Sequence, residues 1–311
     1  MHKPAPDPAR PDIVSALPAT PLLVACHDAG AANLIFGWLR YWLTTGKLNP
    51  SHLLLALQGP AKAIAANSGL TPLGRDVALD NLSIPLGCVL SGTGWQSDWE
   101  HRARRLARSR KIPSIAVLDH WVNYASRFIR DDGTCLPDAL WVSDEHAERI
   151  AQHTFPSLQV VRQPNLYLDS QVANIPALSP GKGDTLYLLE PARTTWGRRA
   201  EGEFQALDYF IQERHRLIAC PESRVRLRPH PSDPAGKYDA WLSRHPSHDV
   251  CLDDAPDLSI SIARASVVVG MQTAAMVIAL AAGRAVYSSL PPWAGELALP
   301  HDGIRQIRHL S

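Results

Sequence analysis

Short apolar runs alternate with amphipathic stretches through most of the 311 residues. Pro21 to Cys26 (PLLVAC) has the continuous apolar character of a buried parallel strand. The polar turn His27-Asp28-Ala29-Gly30 follows, and Ala31 to Trp42 then places Leu34, Ile35, Trp38 and Leu39 on one helical face. This is the opening strand–helix unit of a doubly wound sheet. The same reading predicts strands at Leu53 to Leu57, Leu86 to Leu90, Ile115 to Leu118, Ala139 to Val142 and Leu158 to Val161. It predicts helices at Ala61 to Ser68, Asp98 to Arg110 and Asp144 to His153.

Val172 to Gly183 (VANIPALSPGKG) is loop-like and reads as a linker. The alternation then restarts. Strands are expected at Thr185 to Leu189, Arg224 to Leu227, Ser266 to Val269 and Ala285 to Ser288, with helices at Glu201 to Arg214, Tyr238 to Arg244 and Thr273 to Ala282. Two successive series of this kind imply an α/β protein with two Rossmann-like domains facing each other across a cleft. The expected boundaries are a flexible tail at 1–20, an N-terminal domain at 21–171, the linker at 172–183 and a C-terminal domain at 184–311.

Composition narrows the partners. Lys and Arg number 31 against 30 Asp and Glu, a net charge of +1, which argues against a dedicated nucleic-acid binder while leaving room for a local basic pocket. The proline-rich start has no apolar core of signal-peptide length. Val267 to Ala282 is too short and too interrupted for a membrane span, so at most peripheral membrane contact is expected. The five scattered cysteines include no CxxC pair and fit a reducing cytoplasm.

In an open α/β sheet, ligands bind beyond the carboxyl ends of the strands, so the polar turns after predicted strands carry the candidate chemistry. The first is His27-Asp28-Ala29-Gly30, with Asn33 one turn on. Its carboxylate could serve as a general base toward a hydroxyl, or simply cap the helix. The second is Asp119-His120-Trp121-Val122-Asn123-Tyr124, a dense set of hydrogen-bonding groups suited to an acceptor pocket or to a network holding a loop. The third is Arg226-Leu227-Arg228-Pro229-His230-Pro231. Alternation sends both arginines to one face of the strand, and the prolines restrict His230. A guanidinium beside a fixed imidazole suits a phosphate. The fourth is Gly270-Met271-Gln272-Thr273, where Thr273 opens an apolar helix whose N-terminus could hold a second phosphate oxygen. Glu190-Pro191-Ala192-Arg193 could touch a base, ribose or phosphate. The basic run Trp99 to Lys111 reads as a solvated helix face.

Several chemistries lack their motifs. There is no GxxxxGK[ST], no GxGxxG after the first strand, no HExxH and no GxSxG. No apolar strand ends in the Asp-x-Asp that would hold a metal with a nucleotide sugar. The expectation is therefore a reaction without metal or cofactor.

The RPHP turn (Arg228 to Pro231), GMQTAAMVIALAAGRAVYS (Gly270 to Ser288), LDHWVNYASRF (Leu118 to Phe128) and LLEPAR followed by GEFQALDYF (Leu188 to Phe210) resemble segments of bacterial GT-B glycosyltransferases of surface-polysaccharide synthesis. A narrower resemblance is to bacterial sialyltransferases and polysialyltransferases, which carry an acidic motif after an early strand, a His-Pro motif and a later Ser/Thr motif. His27-Asp28-Ala29-Gly30 matches the first with a single acidic residue, His230-Pro231 matches the second, and Met271-Gln272-Thr273 offers one Thr for the third. The resemblance implies Asp28 as base and His230 as the phosphate partner or acid. It implies a nucleotide-sugar donor, with CMP-nonulosonic acid, a UDP-sugar and a GDP-sugar all open, and a glycan or glycoconjugate acceptor. Glu190, Arg193, Arg228, Gln272 and Thr273 would bind the nucleotide sugar. His27, Asn33, Asp119, His120 and Asn123 would bind the acceptor. The rival readings are a nucleotide-sugar epimerase or hydrolase of the same fold, and a non-catalytic nucleotide-sugar-binding protein.

Overall fold

A computed structural model describes residues 17–71, 73–80, 82–178, 183–192, 194–217, 224–246 and 249–310. The chain forms two compact units, Met1–Tyr167 and Leu168–Ser311. The first contains β1 (Leu22–Cys26), α1 (Ala29–Thr44), β2 (Leu53–Leu57), α2 (Gly59–Asn67), β3 (Arg75–Asp76), β4 (Cys88–Ser91), α3 (Trp99–Ser109) and β5 (Ser114–Val117). It continues with a hairpin of β6 (Ile129–Arg130) and β7 (Gly133–Thr134), then β8 (Ala139–Val142), α4 (Glu145–Thr154) and β9 (Gln159–Arg162). Helix α5 (Leu166–Ala173) spans the division between the units. The second unit holds β10 (Asp184–Leu188), α6 (Gly202–Glu213), β11 (Val225–Arg228), α7 (Asp239–Arg244), β12 (Val250–Leu252), α8 (Leu258–Ala263), β13 (Ala265–Gly270), α9 (Ala275–Ala281), β14 (Ala285–Ser288) and β15 (Ile304–Gln306).

Both main sheets are parallel. The first runs β3-β2-β1-β4-β5-β8-β9 and the second β12-β11-β10-β13-β14-β15. Each begins with the 3-2-1-4-5 order of a Rossmann sheet. The physical cause is visible in β1 and in residues 267–270 of β13, which are sealed on both faces, as a parallel sheet covered by helices requires. In the first unit, Leu34, Ile35, Trp38, Leu39 and Trp42 of α1 pack on β1, β2 and β4. Trp38 meets Trp141 edge to face at 5.4 Å and donates its indole N–H to the Pro164 carbonyl at 2.8 Å. In the second unit, Leu207 and Phe210 of α6 join Tyr187, Leu227, Val267 and Tyr287.

Strands β2, β8 and β14 coincide with their sequence predictions, and the other predicted strands shift by one or two residues. Three readings need correction. The expected linker begins in the last turn of α5, because Leu166 and Tyr167 pack on the first unit's core and start a helix there; residues 179–182 lie outside the described set. The basic helix α3 is not simply a solvated face. Arg104 is buried, donating to Ser91 Oγ (3.1 Å) and the Gly92 carbonyl (2.9 Å), and burial lowers its pKa to about 10. Helix α9 starts at Ala275 with Ala274 as its cap, not at Thr273. Cys26, Cys88 and Cys135 are buried free thiols, Cys251 is half-buried, and Cys220 lies outside the described residues. No helix among the described residues is long and apolar enough to cross a membrane.

Candidate functional site

The crevice of a Rossmann sheet opens where strand order reverses. In the first unit that point lies between β1 and β4. His27 and Asp28 leave the end of β1. Asp28 occupies the cap position of α1 with extended backbone, yet its side chain makes no capping hydrogen bond. Instead Asp28 Oδ1 lies 2.6 Å from His27 Nδ1. An ionised carboxylate can only accept, so that ring nitrogen donates. The side chain of Asp28 therefore does not cap α1, although its residue holds the cap position.

Two glycines make room for this. A Cβ on Gly94, in the loop after β4, would collide with the Asp28 carboxylate, and one on Gly30 would collide with that of Asp119. Asp119, beyond the end of β5, pairs with Arg127 Nη1 at 2.9 Å. Arg127 also donates to Thr93 Oγ1 at 3.3 Å. Asp28 and Asp119 thus both border the first turn of α1, a 16-residue helix whose positive dipole end favours anions.

A third carboxylate, which sequence reasoning missed, completes the cluster. Glu100 of α3 is fully buried and accepts the His27 backbone N–H at 2.7 Å. Its Oε2 has no hydrogen-bond partner among the described residues, and burial pushes its pKa up. Burial, reinforced by Glu100, Asp119 and Asp28, pushes the Cys26 thiol well above its ordinary range and leaves it inert.

The remaining acceptor candidates are placed unevenly. His120 follows Asp119; its Nδ1 accepts the Trp121 N–H at 3.0 Å, and burial lowers its pKa. Asn123 is exposed with φ of 61°, a left-handed conformation that asparagine tolerates better than most residues. It lines a cavity of about 580 Å³ together with Trp95 and Arg130. Asn33 is half-buried on α1, and its side chain makes no hydrogen bond among the described residues.

In the second unit the order reverses between β10 and β13. Glu190, just past β10, accepts the Gln272 backbone N–H at 2.8 Å, joining the two strand ends across the crevice. Burial pushes its carboxyl up to about 7. Gln272 Oε1 accepts the Ala298 N–H at 3.2 Å, and Thr273 Oγ1 accepts the Ala275 N–H at 3.4 Å. Arg193 lies outside the described residues.

The arginines of β11 serve an internal anion rather than an open phosphate site. Asp253 is fully buried between them: Arg228 Nη1 donates to it at 2.7 Å, and Arg226 Nη1 also pairs with it. Arg226 is further held by Asp184, and Arg228 Nη1 by Ser261 Oγ and the Ala255 carbonyl. The two side chains do leave one face of the strand, but Asp253 fills the place between them. Although burial opposes it, bonds from Ser261, Arg228 and Arg226 hold the Asp253 carboxyl below its usual range.

His230 is exposed. Its Nδ1 accepts the Ser232 N–H at 3.2 Å and meets Ser232 Oγ at 2.7 Å, which leaves Nε2 for a ligand. Its backbone N–H donates to Asp233 at 2.9 Å. Asp233 in turn accepts from Lys237 (2.8 Å) and Tyr238 (3.0 Å). Lys237 also pairs with buried Glu203 at 2.7 Å, and Glu203 accepts the Ala192 N–H at 2.9 Å. This buried relay ties the loop after β10 to the loop carrying His230. Its only sequence signal was the Asp233/Lys237 spacing of four. Among the described residues, no group of three His, Cys, Asp or Glu side chains could hold a metal ion.

No protein-family model matches the chain, and no curated protein matches it. Solved structures do. A Listeria monocytogenes protein described as a UDP-N-acetylglucosamine 2-epimerase matches with TM-score 0.59 and 12% identity, over 87% of this chain and 79% of that one. The S. aureus protein MnaA, solved with UDP, matches with TM-score 0.56 and 10% identity, over 86% and 78%. The Neisseria meningitidis UDP-GlcNAc 2-epimerase bound to UDP-GlcNAc matches with TM-score 0.53 and 12% identity, over 82% and 78%. With the strand orders above, the fold is α/β of the GT-B kind, built from two Rossmann-like units.

Proposed function

We propose that the chain is a metal-independent glycosyltransferase that moves a sugar from a nucleotide-sugar donor to a glycan or glycoconjugate acceptor in polysaccharide biosynthesis. The observation that carries this reading is Asp28: a carboxylate at a switch-point crevice, excused from capping and fixed at 2.6 Å by its neighbour His27. In the proposed reaction Asp28 takes the proton of the acceptor hydroxyl. The hydroxyl oxygen bonds to the anomeric carbon, and the bond from that carbon to the phosphate oxygen breaks with its electron pair on the phosphate. His230, through Nε2, donates to that phosphate. Glu190 and the Gln272–Thr273 turn hold the nucleotide. Asp119 and His120 orient the acceptor. Arg228, already engaged with Asp253, steadies the His230 loop and has at most a secondary part in holding phosphate.

The UDP and UDP-GlcNAc named in the solved neighbours support a UDP-sugar donor over CMP-nonulosonic acid. They also favour the second reading, an epimerase acting on the donor alone, and the carboxylates of Asp28, Glu100 and Asp119 could move protons on a sugar ring in either case. One experiment separates the two. Incubation with UDP-GlcNAc and other UDP- and CMP-sugars, with and without glycan acceptors, should give UDP release that depends on acceptor. An epimer or free sugar formed without acceptor would establish the second reading instead.

A further inference from the structure

We infer that the cavity beside Trp95 is a saccharide subsite, which on the glycosyl-transfer reading above holds the acceptor one or more sugars away from the new bond. The cavity, about 580 Å³, is lined wholly by residues of the first unit and falls within the roughly 300–1,000 Å³ of small-molecule sites. Trp95 is 57% exposed and Ile129 52%, the two most exposed large apolar side chains among the described residues, and both line this one cavity. Exposed apolar groups that converge on one concavity offer a ligand the contact surface that small-molecule sites provide.

The remaining lining fixes the class of ligand. Among the described residues, the side-chain amides of Gln96 and Asn123 and the carboxylate of Asp131 make no hydrogen bonds, so donors and acceptors are both on offer. The two arginines are already engaged. Arg130 donates to the Gly94 carbonyl (2.6 Å), Asp98 (2.8 Å) and the Ile129 carbonyl (2.7 Å), and Arg127 is paired with Asp119. A phosphate would find these guanidiniums occupied and the Asp98 and Asp131 carboxylates in the lining. An apolar ligand would leave the amides unpaired. A sugar ring has an apolar C–H face for the indole and a hydroxylated edge for the amides, and it matches the whole set.

Position supplies the link to the reaction. Trp95 directly follows Gly94, which packs against the Asp28 carboxylate, and Arg130 clamps that Gly94 carbonyl from the cavity side. A saccharide chain with one ring on Trp95 can present its neighbouring ring toward Asp28. An enzyme working on a lone nucleotide sugar has no use for this second ring position.

The test is saturation-transfer NMR on the full-length chain with chitotriose, maltotriose and sialyllactose as probes, and UDP as a control ligand. At least one trisaccharide should receive transfer on its ring C–H protons, and Trp95→Ala should weaken its binding by about tenfold, with Trp95→Phe intermediate and UDP binding unchanged. Absence of transfer to all three, or transfer that Trp95→Ala leaves intact, overturns the subsite. Trp95-dependent saccharide binding without acceptor-dependent UDP release would uphold the subsite and remove the glycosyl-transfer reading. Acceptor-dependent release whose acceptor KM is unmoved in Trp95→Ala would do the reverse.

Discussion

The two Rossmann units share a strand order and a switch point but furnish it differently. The first gathers Asp28, Glu100 and Asp119 around the start of a 16-residue helix. The second presents one carboxyl, Glu190, held near neutrality, beside a seven-residue helix and a histidine loop anchored from below by Lys237. On the proposed reading, the same backbone edge serves proton removal in one half and the holding of an anion in the other. Burial and partners make the difference, not topology.

The sharpest challenge to this division is Asp28→Asn, which keeps the shape and removes the base. Turnover should fall by about 10²–10⁴-fold while UDP affinity, read by calorimetry, stays unchanged; loss of UDP binding instead would move the nucleotide to the first unit. Next in size is Lys237→Met, which leaves Glu203 and Asp233 buried without their cation. Stability should drop by about 3–5 kcal/mol, read by denaturant unfolding, and a drop confined to a few tenths would make the relay ornamental. His230→Ala should weaken UDP binding by roughly 10–100-fold, the range of a charge-assisted hydrogen bond, and leave saccharide binding untouched.

The smallest effect concerns Glu190. Its folded pKa of about 7 lies above the usual carboxyl value near 4.5, so the folded state binds the proton more tightly. The contribution of Glu190 to stability is full below about 4.5 and is lost as pH rises through about 7. Glu190→Gln removes the ionisation and should raise the melting temperature at pH 8 by roughly 2–4 °C, with little change at pH 5. A shift independent of pH would show that the carboxyl is not neutralised by burial.

Most of the fold was legible because parallel strands buried on both faces must be continuous apolar runs, as in PLLVAC and ASVVVG. The edge strands β3, β12 and β15 and helix α8 went unread, since two to six residues with mixed exposure leave no periodic trace. Asp28, Asp119 and Glu190 were legible as polar residues at strand ends. What could not be read was who their partners are. Arg226 and Arg228 looked like phosphate ligands because Asp253, 25 residues beyond Arg228 in sequence, is joined to them only by folding. Glu100 was hidden in a run of charges whose burial no local pattern signals. Trp95 did carry a trace, a lone tryptophan in the polar loop GTGWQSD, but nothing in the chain said that it would line a cavity.

The trio of Glu203, Lys237 and Asp233 has one more implication. Two buried carboxylates share a single ammonium, so neither strand-end loop can shift far without leaving an anion unpaired. The segments bearing Ala192 and His230 are therefore braced against each other through one shared cation, and moving either alone would strip an anion of its partner.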